Sequence, residues 1–458
     1  MRMTIPRHWI RYGKSSETKI VKEHQDTFEG MAMNANAVAH FGRALSGFIF
    51  IQAKRKKFFI DPLTHAFQHP LDKIYSEKGE VRPSLKKLID IYDEPLRSTI
   101  LNGNDPRPVT PGDFIPGVIK KFTQNVLNFQ RHHLFNCLED DFKAYLEEFK
   151  DLLPSSPLFL TPPYFYMNEP ENESYYKNWM ELNMQFVEIS REITDKSERI
   201  FGQFVIDQAL LSKMTGEKNL LQQFLEIYRA ADGILLWIDE LDEHKAFPNT
   251  LKALAHLVKS IKEKYPDKLL INLYGGYFSE MLMKIGLDGV VHGPEYGESR
   301  AVVPVGGGIP ISRYYYPSIK KRVPSNEVIP WLTHLNFSNA EAFYRNVCDC
   351  PSCKIKITDN AISDFIEIYG KTDSVEINTR WRKKIIREFP TAESSNNCLA
   401  HYLEVKKREF AQVGNNDLGT LVKELTEIYE KYKPYFDTWI DEMHFSHLKR
   451  WKEALENG

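Results

Sequence analysis

The chain has 458 residues, 42% of them hydrophobic, 12% aromatic and 27% charged. That apolar share supports a buried core and excludes wholesale disorder; the length suggests about three domain-sized units, or one large barrel with additions. Lys and Arg number 60 against 62 Asp and Glu, a formal net charge of −2, which excludes a globally basic nucleic-acid coat protein but leaves room for local basic patches.

Five cysteines, Cys137, Cys348, Cys350, Cys353 and Cys398, are too few and too clustered for a disulfide framework. The N-terminal MRMTIPRHWIRYGKSSETK lacks the apolar stretch of a signal peptide, and no run reaches the length of a bilayer span. These features predict a soluble protein of a reducing, cytoplasmic compartment with no membrane partner.

In chain order, short apolar runs recur: GFIFIQ (47–52), KFFIDP (57–62), PLFLTPPYF (157–165), RIFGQFVI (199–206), DGILLWID (232–239), KLLINLY (268–274), DGVVHG (288–293) and GIPISRYYYP (308–317). Most are too short for helices and are apolar on both faces, as buried parallel strands are. Between them lie helical patterns: 173–193, 218–231, 249–265 with its Lys-rich end, and 279–286 ending at a glycine. Alternating strands and helices predict an α/β fold with a parallel sheet. About eight candidate strands fit a (β/α)8 TIM-type barrel better than an open sheet. The expected organisation is an N-terminal segment (1–46), a barrel (47–330) with a helical insertion near 66–156, a metal-stapled subdomain (331–415) and a C-terminal helical tail (416–458).

The strongest local signal is Cys348-Asp-Cys350-Pro-Ser-Cys353. Thiolates at this spacing face one ion when the backbone turns, and Pro351 and Ser352 suit such a turn. A tetrahedral ion, Zn²⁺ by the softness of its ligands, needs a fourth donor. His401 and Cys398, three residues apart, would share a face of one helix, so spacing alone does not choose between them. Four protein ligands make a closed, structural site.

The Cys-x-Cys-x-x-Cys with a distant histidine resembles the zinc signature of the tRNA-guanine transglycosylase superfamily, in which a zinc subdomain interrupts the end of a (β/α)8 barrel. CLAHYLEVKKREF resembles that family's ligand-bearing helix, which implies His401 rather than Cys398. The 48 positions from Cys353 to His401 exceed the family's usual gap; an insertion containing NAISDFIEIYG accounts for it. FFIDPLTHAF resembles the family strand ending in an Asp-Ser-Gly-Gly turn, which puts Asp61 at the general-base aspartate. KLLINLYGGYFSEMLMKIGLDGVV resembles the strand, helix and Gly-x-Asp leading to the nucleophilic aspartate. Here the sequence departs: Val290, Val291 and His292 follow Asp288, and Thr161, two prolines and Tyr164 stand where the base-reading aspartate is expected. The resemblance covers much of residues 47–410 and implies a divergent pocket, on the DNA branch as well as the tRNA branch.

From physics alone, reactive groups of such a barrel lie just past the strand C-termini. That selects Asp61, Thr64 and His65; Tyr164 and Tyr166; Asp239, Glu240, Asp242 and Glu243; Tyr274; His292, Glu295, Tyr296, Glu298 and Arg300; and Arg313 and Tyr315. Base exchange at a glycosidic bond needs one group at the sugar C1′ and another moving a proton on the base. Asp61 and Glu295 are the first pair, with Asp239 third. His65, Tyr164, Glu240, Tyr274, His292 and Arg313 are the substrate-binding candidates. Asp61 before Pro62 also reads as strand-ending turn chemistry, and IDELDEH as a solvated loop. The glycines of PVGGGIPI (304–311) suit a flexible turn more than a phosphate cradle.

Basic runs at 54–57, 318–322, 380–387 and 404–410 offer phosphate contacts, through Lys320, Lys321, Arg322, Arg380, Arg382 and Lys383, or are ordinary solvated faces. The expected function is a transglycosylase-like enzyme exchanging guanine or a 7-deazaguanine in DNA or tRNA. The alternative is a non-catalytic zinc-containing barrel that binds nucleic acid or a catalytic partner, in a homo- or hetero-oligomer. A carboxylate-pair hydrolase is a third class.

Overall fold

The computed structural model describes residues 6–13, 17–53, 56–148, 156–169, 173–295, 297–305, 311–378, 384–436 and 438–456. The chain divides into two compact units. One comprises Met1–Thr18, Glu29–Glu243 and Asn249–Val305; the other comprises Lys19–Phe28, His244–Pro248 and Gly306–Gly458.

The first unit is built on a curled sheet of seven strands: β1 (His8–Tyr12), β2 (Gly30–Asn34), β3 (Lys57–Asp61), β4 (Phe201–Ile206), β5 (Gly233–Ile238), β6 (Leu269–Asn272) and β7 (Gly289–His292). Their spatial order is β3-β2-β1-β7-β6-β5-β4. Every pairing is parallel. Five strands match the apolar runs, which are buried on both faces as parallel strands under helices must be.

The segment around PLFLTPPYF touches both edges of this sheet. Leu158 N donates to Phe58 O of β3 at 2.8 Å, Leu160 N to Arg199 O at 2.9 Å and Met167 N to Val205 O at 3.0 Å. It makes only isolated bridges to Ile200 and Ile206. Pro162 and Pro163 explain this: without amide protons they cannot continue a ladder.

Alternation along each strand sends one set of side chains inward. Trp9, Ala32, Phe59, Phe159, Phe201, Val205, Leu235, Trp237, Ile271 and Val291 form one buried cluster. Within it Phe159 stacks on Phe201 with ring centroids 3.9 Å apart and on Phe59 at 4.7 Å, while Trp9 meets Phe59 edge-on at 5.3 Å. These side chains fill the concave face of the curled sheet.

Three expectations change. Residues 1–46, read as a segment ahead of the barrel, supply β1 and β2. GFIFIQ is not a strand: it continues the helix Ala35–Ser46 as π-helical turns over Gly47–Gln52, burying Phe48, Ile49 and Phe50. GIPISRYYYP does not join the sheet either. Its described part forms β8 (Arg313–Tyr316), antiparallel to β9 (Lys321–Pro324), in the second unit. The glycines of PVGGGIPI lie outside the described residues.

The stretch read as an insertion carries helices Pro83–Tyr92, Pro116–Asn136 and Asp140–Glu148. The expected helices at 173–193, 218–231, 249–265 and 279–286 are found as Glu173–Glu192, Lys218–Glu226, Pro248–Lys264 and Tyr277–Leu282. The second unit adds a hairpin of β10 (Thr372–Asn378) and β11 (Lys384–Pro390), within the long Cys353–His401 gap, and helices Ala392–Asn415, Leu418–Tyr432 and Ser446–Glu456. Among the described residues no helix is long and apolar enough to cross a membrane.

Candidate functional site

At the C-terminal ends of β1, β2 and β3 the inward positions carry Arg11, Asn34 and Asp61. Asp61 is fully buried. Its Oδ1 accepts from Tyr164 Oη at 2.7 Å and from Leu63 N at 3.1 Å; its Oδ2 lies 3.3 Å from Arg11 Nη1. Arg11 Nη1 also donates to Asn34 Oδ1. Tyr164 stays a donor, because burial and then the Asp61 charge hold its phenol well above its ordinary pKa. The carboxylate is thus fixed in place by a cation, a phenol and a backbone amide.

Aromatic and cationic groups complete the wall. His65 lies in the 3-10 turn Thr64–Gln68, stacks on Tyr164 at 5.2 Å and meets Trp237 edge-on at 5.1 Å. Trp237 packs on Tyr274 at 4.8 Å. Arg11 lies over the Tyr274 ring at 4.5 Å, and Arg300 Nη1 donates to Tyr274 Oη at 2.9 Å. Burial, then His69, Arg300 and Arg11, push His65 well below the usual imidazole pKa, so it is a neutral ring. Burial is also the main cause that draws His69 down to about 4.

Several buried polar atoms of this pocket have no hydrogen-bond partner: Arg11 Nε and Nη2, His65 Nδ1, Thr161 Oγ1, and both amide atoms of Gln203. Gln203 lies between Phe201 and Val205 on β4, both of the interior cluster, so the alternation aims it inward. Buried polar groups are normally paired, and each one left bare costs about 1–3 kcal/mol. Left bare in the protein, these atoms are available to the donors and acceptors of a ligand.

The remaining predicted residues divide. Asp239, just past β5, accepts from Val302 N at 2.6 Å and from Tyr166 Oη at 2.7 Å, so one oxygen pins the returning 300–302 segment and the other holds Tyr166. Trp237 Nε1 and Glu240 N both donate to Arg300 O at 3.1 Å, fastening the same segment. Glu240 is exposed, with a left-handed φ of 53°. Glu243 is a helix cap: it accepts from Gly276 N at 3.0 Å, Phe278 N at 3.1 Å and Ser279 N at 3.2 Å. Glu295, half-buried, follows β7 on a loop closed by Gly293 N donating to Gly297 O at 3.2 Å. A Cβ on Gly297 would meet Gly293 N at 2.1 Å, so this closure requires glycine. Tyr296 lies outside the described residues.

His292 is a correction. Val291 points into the interior cluster, so its neighbour on β7 points to the outer face, where His292 Nε2 and His8 Nε2 are 3.0 Å apart. Arg313 opens β8 of the second unit and is absent from the seven-stranded sheet. Sequence reasoning missed Arg11, Asn34 and Gln203, because the first two sat in a stretch that showed no apolar run.

In the second unit Cys348, Cys350, Cys353 and His401 are all buried, with donor atoms within 4.8 Å of one another. Cys350 caps the helix Pro351–Lys356, accepting from Cys353 N at 3.4 Å, and Cys350 N in turn donates to Cys348 Sγ at 3.4 Å. His401 Nδ1 is 3.8, 3.3 and 3.4 Å from the sulfurs of Cys348, Cys350 and Cys353. Its Nε2 is 2.7 Å from Tyr315 O, which fixes the proton there and leaves Nδ1 as the donor to an ion. Tetrahedral zinc with ordinary bond lengths sets sulfur and nitrogen ligands about 3.5 Å apart, so the cluster can hold such an ion. Cys398 lies outside it, with Sγ 3.5 Å from Ser312 Oγ and 3.9 Å from Tyr369 O.

The basic run at 318–322 is not a free cationic face. Lys320 is 6% exposed, its Nζ 3.6 Å from Glu409 and 3.9 Å from Glu424. Arg322 lies over the Tyr402 ring at 3.6 Å, and Lys321 is half-buried. Lys320 is spent internally, on a carboxylate pair that a phosphate would have to displace. Arg380, Arg382 and Lys383 lie outside the described residues.

No protein-family model matches the chain, and no curated protein matches it.

Proposed function

We propose that the first unit is a glycosyl-transfer enzyme of the tRNA-guanine-transglycosylase type, exchanging guanine or a 7-deazaguanine at an N-glycosidic bond in DNA or tRNA. The observation that carries this reading is Asp61: a buried carboxylate, fixed by three donors, in an aromatic-walled pocket with unpartnered amide, hydroxyl and imidazole atoms. We read the fold as a (β/α)8 barrel whose fourth stave is the proline-interrupted 157–167 segment. Support comes from the strand order, which runs cyclically through the sheet, and from that segment's hydrogen bonds to both edges.

Asp61 would move the proton on the base, giving it to the departing base and taking one from the arriving base. Glu295 would stabilise or attack the sugar C1′ as the bond to the base lengthens. Asp239 is disfavoured for that role by its two engaged oxygens. The flat walls offered by Tyr164, His65, Trp237 and Tyr274 suit a planar heterocycle, flipped out at a cost of about a few kcal/mol if the polymer is duplex DNA. The Cys3His cluster would hold a structural zinc ion in the second unit.

The second reading, a non-catalytic barrel serving as a binding subunit, is favoured by one observation. Val290 and Val291, at the family's nucleophile region, are fully buried apolar residues. Incorporation of isotopically labelled guanine or deazaguanine into tRNA and into duplex DNA separates the two. Label entering one polymer, with a loss of about 10²–10⁴-fold in Asp61→Asn, supports exchange. No label in either, from folded and metal-loaded protein, favours the binding subunit.

A further inference from the structure

We propose that Arg11 and Arg300 form an oxyanion-binding subsite beside Tyr274, and that the anion is a phosphate of the molecule whose base enters the pocket. This deepens the reading above and rests on it for the identity of that molecule.

The argument starts from charge. Two guanidiniums sit against one ring: Arg11 at 4.5 Å and Arg300 at 5.7 Å from the Tyr274 centroid. Of the acids near them, Asp61 pairs with Arg11, while Asp239 is occupied by Val302 N and Tyr166 Oη. Arg300 forms no ion pair among the described residues; its side-chain contacts are the Tyr274 hydroxyl and the rings of Trp237 and Tyr274. A guanidinium carries five N–H donors. Arg11, 6% exposed, leaves Nε and Nη2 without an acceptor.

A half-buried cation without an ion-pair partner among the described residues, as Arg300 is, carries a desolvation cost, and the orphaned donors of buried Arg11 add to it. An oxyanion relieves both. Arginine suits it, since its planar fork matches phosphate geometry and its charge is permanent. Arg300 is held for the purpose: its own carbonyl is tied to Trp237 Nε1 and Glu240 N, and Asp239 fastens the chain two residues later. The field already acts on a neighbour, since Arg300 and Arg11 both help depress the His65 pKa.

The test is calorimetric titration of the full chain with 2′-deoxyguanosine, 2′-deoxyguanosine 5′-monophosphate and inorganic phosphate, on wild type, Arg300→Gln and Arg300→Lys. The nucleotide is expected to bind at least about tenfold more tightly than the nucleoside, with phosphate competing. Arg300→Gln is expected to erase that difference and Arg300→Lys to restore part of it. Equal affinity of nucleotide and nucleoside in the wild type overturns the subsite and leaves the base site standing. A preference that survives in Arg300→Gln also overturns it. Arg300-dependent phosphate binding without any nucleoside or nucleotide binding overturns the assignment of the anion to a nucleotide and the base-exchange reading, while keeping the anion site. Binding of none of the three overturns both.

Discussion

Arg11 of β1 reaches past β2 to Asp61 of β3, bringing Nη1 to 3.3 Å from Oδ2. Parallel neighbours are about 4.8 Å apart, so a long side chain is needed to span two spacings, and Asn34 on the strand between accepts from the same nitrogen. Charge, reach and register are all required, which makes the pair testable. Arg11→Met leaves a buried carboxylate unpaired and is expected to destabilise the first unit by about 3–5 kcal/mol. Adding Asp61→Asn is expected to recover much of that loss, giving a large coupling energy in a urea double-mutant cycle. Additive losses would show that the two side chains do not depend on each other.

Tyr164 holds the other oxygen of Asp61 and also forms the floor under His65. Tyr164→Phe keeps the ring and removes the bond. The expected result is a loss of about 1–2 kcal/mol in stability. Exchange activity is expected to fall about tenfold, through kcat more than KM, as a positioning role predicts. A rise in KM alone, with kcat unchanged, would assign the hydroxyl to ground-state binding.

The Cys3His cluster makes a sharper distinction between neighbours. Removing His401 with alanine is expected to abolish stoichiometric zinc, measured by elemental analysis, and to unfold much of the second unit, because metal binding there is folding energy. Cys398→Ala, three residues earlier, is expected to keep one zinc per chain and to cost about 1–2 kcal/mol, the loss of a small buried group. Zinc retained in His401→Ala but lost in Cys398→Ala would reverse the ligand assignment.

His65 and His69 make the first unit sensitive to acid. Both are depressed in the folded state, His69 to about 4, so between about pH 4 and 6.5 the unfolded chain binds more protons than the native one. Stability from His69 is therefore full above about pH 6.5 and falls as pH drops towards 4, by on the order of 3 kcal/mol. Urea midpoints of wild type and His69→Gln at pH 7.5, 6 and 5 check this. The variant is expected to lose less on acidification, and equal slopes would contradict the assignment.

How much was legible beforehand follows from what each signal depends on. Strands β3 to β7 announced themselves because parallel strands under helices are buried on both faces, which leaves uninterrupted apolar runs. The Cys348–Cys353 motif was legible because ligand geometry is local, three thiols within one turn. Asp61 stood out as an acid at the end of a strand. By contrast β1, HWIRY, carries a buried arginine in place of an apolar residue, and β2, GMAMN, has weak strand formers. Both are strands because their neighbours supply ladders and cover them. GFIFIQ is as apolar as a strand, but the preceding helix runs into it, and short apolar runs carry no period to tell the two apart.

The amino-acid sequence by itself determined the α/β alternation, three thiols of the Cys3His cluster and an acid at the end of β3, because all of these depend on near neighbours in the chain. The tertiary structure decided the rest. It chose His401 over Cys398 by presenting Nδ1 to the sulfurs, turned His292 to the outer face by strand alternation, buried Lys320 among carboxylates, and set Arg11 and Arg300 against Tyr274. Each of these depends on which distant segment lies opposite, and hydrogen bonding, charge and close packing settle that only once the chain has closed on itself.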